Sequence, residues 1–62
     1  MLNTAPNIAD PDGFYQELLD SQRGLTDEQA ALMNCKLVLL LANHIGNRAV
    51  LSAAMQAASP KG

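Results

Sequence analysis

The stretch from 27 to 45 constrains the fold more than any other part of the sequence, because it contains neither proline nor glycine. It opens on Thr26 to Gln29 (T-D-E-Q), the pattern of a helix capping box, and Gly46 follows it as a left-handed helix end. One long helix is therefore predicted. It carries a narrow polar strip of Gln29, Lys36 and Asn43, Glu28 is polar but lies in the first turn, and nearly every other position is apolar. A helix that is apolar most of the way around belongs in the core of something larger.

Two shorter helices are predicted, one on each side of this segment. Asp10 followed by Pro11 is an N-cap with proline at the first helical position, and Arg23-Gly24 is a suitable end, so the first helix spans 11–23. Asn47 can cap a third helix over 48–58, where apolar residues recur at helical spacing. No segment alternates with the period of two that a half-buried strand shows. The sequence predicts an all-α fold, a three-helix unit that forms oligomers.

The same signals divide the chain into three parts. A chain of 62 residues is long enough for one small domain, which we place at 11–58. Residues 1–10 are expected to form a flexible N-terminal arm, and residues 59–62 a disordered tail.

The long helix carries more apolar surface than two short neighbours can cover. Each neighbour offers one apolar stripe, and together they cover about half to two-thirds of its circumference. An uncovered apolar patch of this kind marks an interface. The sequence therefore predicts a homo-oligomer, a complex with an enzyme, or both. The residues expected at the interface are Met33, Asn34, Leu37, Leu40, Leu41 and His44.

Asn34 admits two interpretations. It lies in a seam with the 4-3-4-3 spacing of paired helices, formed by Ala30, Asn34, Leu37, Leu41 and His44. A buried Asn in such a seam fixes register and the number of partners. Otherwise Asn34 lies at the edge of the seam and bonds to water or to a neighbouring backbone. His44 has no companion for catalysis or metal binding, and a structural role near the helix end is expected.

Composition argues against several classes of function. Four basic residues against six acidic ones give a net charge of -2, so no nucleic-acid partner is expected. The longest purely apolar run is Leu37–Ala42, whereas a membrane span needs about 20 mostly apolar residues, so no membrane partner is expected. The single cysteine, Cys35, makes neither a disulfide nor a metal site, which favours a reducing, cytoplasmic location. No catalytic constellation is visible, and we expect no enzyme activity, no metal and no cofactor.

Three expectations concern single side chains. Cys35 should be buried as a small apolar residue. One of Phe14 and Tyr15 should anchor helix one in the core. Leu41 should be among the most damaging sites to truncate if it is fully buried, and Gly46 should have a positive φ.

The chain resembles a bacterial family of very short proteins of unknown function. The resemblance rests on Phe14 to Leu18, on Arg23–Gln29 (R-G-L-T-D-E-Q) and above all on Leu37–Gly46 (L-V-L-L-L-A-N-H-I-G), and it covers about residues 13–55. Members of that family are encoded beside flavin-dependent monooxygenases and other enzymes that break down aromatic compounds. The resemblance implies a cytoplasmic accessory role in that chemistry and carries over no functional residue.

The favoured hypothesis is a small non-catalytic interaction protein, an accessory or stabilising subunit of an aromatic-oxidising enzyme. The alternative is a binding protein for small aromatic or hydrophobic molecules. Its cavity would be lined by Leu37, Leu40, Leu41 and Met33, with Asn34 and His44 as polar groups. A transcriptional regulator is disfavoured by the charge and by the lack of a basic recognition helix.

Overall fold

Three helices follow one another along the chain in a computed structural model that describes residues 2–61. They are α1 (Pro11–Ser21), α2 (Asp27–Ile45) and α3 (Arg48–Ala58). The described residues contain no strand, and 68% of them are helical. The predicted all-α class is confirmed, as are the predicted bounds of the second and third helices.

The first helix ends two residues before its predicted end. The N–H of Gln22 donates to the carbonyl of Leu19 (3.2 Å), and the N–H of Arg23 donates to that of Asp20 (3.1 Å). These i→i+3 bonds tighten the last turn and end α1 at Ser21. Arg23 therefore lies beyond the helix, and its guanidinium forms an ion pair with Asp20 at 2.6 Å.

Side chains cap the helices where the sequence predicts. Asp10 accepts a hydrogen bond from the N–H of Gly13 at 3.2 Å, and Asn47 accepts one from the N–H of Val50 at 3.1 Å. In the capping box of α2, the N–H of Gln29 donates to Thr26 Oγ1 at 3.1 Å, and the N–H of Thr26 donates to Gln29 Oε1 at 3.0 Å. Such caps satisfy the free N–H groups of a helix start.

The helices do not enclose a core. No residue between 2 and 61 is buried, and within that range no two helices pack closely along their length. The radius of gyration is 13.3 Å, whereas about 10.6 Å is expected of a compact domain of this length. The single chain is therefore an open arrangement of well-capped helices.

Several side-chain predictions are wrong for the isolated chain for this reason. Phe14 and Tyr15 are 47% and 61% exposed, so neither anchors a core. Leu41 is 52% exposed, and Cys35 is exposed as well. The predicted arm 1–10 and tail 59–62 include Met1 and Gly62, which lie outside the described residues. The flexibility of both segments stays a prediction.

Candidate functional site: the apolar surfaces of α2

The surface of α2 that faces α1 is the best covered. Phe14, Leu18 and Ser21 of α1 line a groove with Met33 and Leu37 of α2. Leu18, Met33 and Leu37 are partly buried. The apolar stripe predicted for the first helix therefore meets α2 here, although the contact is too short to bury either surface.

A hydrogen bond joins α2 to the segment that follows α1. Gln22 Nε2 donates to Asn34 Oδ1 at 2.7 Å. Asn34 therefore has a side-chain partner in its own chain. Neither interpretation drawn from the sequence named this partner, and both stay predictions.

A second groove lies beside the first and is open to solvent. Its volume is about 420 Å³. The lining is almost wholly apolar, with Gln29 and Lys36 of the polar strip as its polar members. The apolar residues that line it are Leu25, Leu32, Met33, Leu37 and Leu40.

The opposite side of α2 is mostly exposed to solvent, and only Ala42 on it is partly buried. Val38 and Leu39 are 63% and 70% exposed. Six of the twelve exposed large hydrophobic side chains belong to α2. At 100° per residue, this side is a continuous apolar arc, which we call the open face. The open face consists of Ala31, Leu32, Cys35, Val38, Leu39, Ala42 and Ile45.

The structure brings together half of the predicted interface residues. Met33, Leu37 and Leu40 line the second groove. The other three are placed elsewhere: Asn34 bonds to Gln22, Leu41 is half-exposed, and His44 lies in the last turn of α2.

Sequence reasoning missed the open face. Its signal was present, because Ala31, Cys35, Val38, Ala42 and Ile45 also follow a 4-3-4-3 spacing, one residue out of step with the seam first recognised.

Titratable groups form no cluster on these surfaces. Within residues 2–61, no three side chains of His, Cys, Asp or Glu are placed to hold a metal ion. The structure records one ion pair in that range, between Arg23 and Asp20. None of the described helices combines the length and apolarity that a bilayer crossing requires. The chemistry that these surfaces offer is apolar contact.

The comparisons place the chain in a family. No curated protein and no solved structure matches it. A family model described as "Protein of unknown function (DUF2783)" matches residues 2–60, which is nearly the whole chain. The prediction of a small family of unknown function is confirmed at that level, and the chain belongs to this family.

Proposed function

We propose that this protein is a non-catalytic helical interaction protein whose fold is completed by a partner. One observation carries the proposal. The chain exposes 5682 Å² of accessible surface, whereas a folded monomer of 6.6 kDa is expected to expose about 3,900 Å². The excess is therefore about 1,800 Å².

The nature of the exposed surface supports an interface. The large side chains left in water are mainly Leu, Ile and Val, and half of the large exposed ones lie on one helix. Obligate interfaces resemble a domain core cut in half and are more apolar than the rest of a protein surface. An open helix with leucines on nearly every side has that composition.

The resemblance to a family encoded beside flavin-dependent monooxygenases supports a finer proposal. In it, the protein is a bacterial, cytoplasmic accessory subunit that stabilises an enzyme of aromatic-compound oxidation. Genomic neighbourhood is an association and not a physical argument. The physical argument for the proposal is the large apolar surface that the single chain leaves exposed.

Sedimentation velocity tests this function on the chain alone and on the chain mixed with a flavin-dependent monooxygenase of the kind that the resemblance implies. A species heavier than the 6.6 kDa chain, with the chain helical in it, supports the proposal in either sample. A monomer in both samples that unfolds cooperatively contradicts it, because such a monomer already has a complete core.

The second groove favours one other candidate, a binding protein for small hydrophobic or aromatic molecules. Leu32, Leu37 and Leu40 supply an apolar wall, and Lys36 supplies a charged group at its edge. Simple phenols at saturating concentration should then raise the melting temperature by several degrees. Lys36→Ala should reduce that shift and Asn43→Ala should not, because Asn43 does not line the groove. No shift with any phenol contradicts this candidate.

A further inference from the structure

We propose that the open face of α2 binds a second copy of this chain, with the two α2 helices antiparallel and Val38 at the two-fold axis. The inference rests on the proposed interaction function and names the partner. The surface that carries it is the seam of Ala31, Cys35, Val38, Ala42 and Ile45 within the open face.

The seam is self-complementary, as a two-fold interface must be. Counted from Val38, its other members lie seven and three residues before and four and seven residues after. An antiparallel copy therefore sets Ala31 opposite Ile45 of the second chain, and it brings Cys35 within one residue, about 1.5 Å along the helix axis, of Ala42. Small residues at two of the five positions allow the helices to approach closely, and no polar side chain interrupts the seam.

The exposed area is sufficient for such a dimer. A stable interface buries about 800 Å² on each partner. The chain exposes 5682 Å², about 1,800 Å² more than a compact monomer of its mass. That excess is spread over the whole chain, and a copy seated on α2 would cover the part of it that lies on the open face, where Val38 and Leu39 are the most exposed side chains.

Charge favours the antiparallel orientation. The first turn of α2 carries Asp27 and Glu28, whereas its last turn carries His44 and is followed by Arg48 at the start of α3. Antiparallel pairing brings the acidic end of each copy to the basic end of the other and opposes the two helix dipoles. Parallel pairing would bring like charges together at both ends.

The first test compares two single-charge substitutions by sedimentation velocity. Val38→Glu places two carboxylates face to face at the two-fold axis, so we expect the dimer to weaken by at least about 100-fold. Asn43→Glu adds the same charge on the polar strip of the same helix and should leave the dimer intact. Circular dichroism at a concentration where the wild type is dimeric checks that Asn43→Glu keeps its helices. Equal dimerisation of both variants overturns the proposal.

The second test measures whether the two α2 helices run antiparallel or parallel, and it leaves Val38 at the centre of the seam unchanged. A spin label at Asp27→Cys in a Cys35→Ala background lies one turn or more outside the seam. With Val38 at the axis, the two labelled backbones are about 33 Å apart. A parallel dimer would place them about 10 Å apart. A long distance supports the proposal and a short one overturns it.

The outcomes also separate this inference from the proposed function. A wild-type chain that is monomeric alone but binds such a monooxygenase overturns the homodimer and leaves the interaction function standing. A cooperative monomer that joins nothing overturns both.

Discussion

Gly46 illustrates how one residue separates two helices. Its φ is 72°, and its N–H donates to the carbonyl of Ala42 at 2.9 Å, the bond of a left-handed helix end. A Cβ at this position would lie 3.8 Å from the nearest atom, the carbonyl oxygen of Asn43, so space is not the constraint. The constraint is the backbone conformation, which β-branched residues strongly disfavour. The positive φ expected from the sequence is confirmed.

Gly46→Val should therefore lower the free energy of unfolding by more than about 1 kcal/mol, as measured by urea denaturation at fixed protein concentration. Gly46→Asn is the matched control and should cost less, because Asn tolerates the left-handed region. A neutral Gly46→Val would mean that α2 and α3 run on as one helix.

Asn34 has a side-chain partner that the sequence did not predict. Asn34→Leu should leave the size of the assembly unchanged, because the lost contact is the hydrogen bond from Gln22 within the chain. The stability loss should be about 0.5–1.5 kcal/mol. In a double-mutant cycle with Gln22→Leu, the double mutant should lose less stability than the sum of the two single losses, because both substitutions remove the same hydrogen bond. A mixture of oligomer sizes for Asn34→Leu would instead place Asn34 between chains.

At the scale of the element, α2 shows what sequence reasoning can and cannot supply. Its ends were predictable because the capping box and Gly46 act through bonds to residues three and four positions away. Its facing was not. A helix apolar on nearly every side contains two seams of equal spacing, one beginning at Ala30 and one at Ala31, and only the position of α1 distinguishes them. The Gln22–Asn34 bond was hidden for the same reason, since it joins residues twelve apart.

Truncation along α2 should follow its packing against α1. Leu37 is partly buried between α1 and α2, whereas Leu41 is 52% exposed. Leu37→Ala should therefore cost about 2 kcal/mol and Leu41→Ala less, because the loss grows with the apolar surface returned to water. Urea denaturation of both variants at one concentration measures the order. A larger loss for Leu41→Ala would mean that an intermolecular contact covers Leu41.

At the scale of the whole molecule, the fold class was predictable and the absence of a core was only partly so. Helical spacing and caps identify the three helices locally, and the excess apolar surface of α2 was apparent from its wheel. The sequence suggested that α1 and α3 would still shield half or more of that helix. In the structure the two short helices, of 11 residues each, leave every described residue at least partly exposed.

Cys35 provides a probe of the assembled molecule. It is exposed in the single chain and lies in the open face of α2. If the open face is an interface, a thiol reagent should label Cys35 more slowly as the protein concentration rises, because association covers the thiol. A labelling rate that does not depend on protein concentration would mean that association leaves this face in water.

The claim that a partner completes the fold is tested most directly by thermal unfolding of the wild-type chain, monitored by circular dichroism, over about two decades of protein concentration. A fold completed by a second copy gains stability by mass action, so its melting temperature should rise steadily with concentration. At the lowest concentration the transition should broaden, because the lone chain has no core to unfold cooperatively. A sharp transition at the same temperature throughout would show that a single chain folds by itself, and would contradict the account.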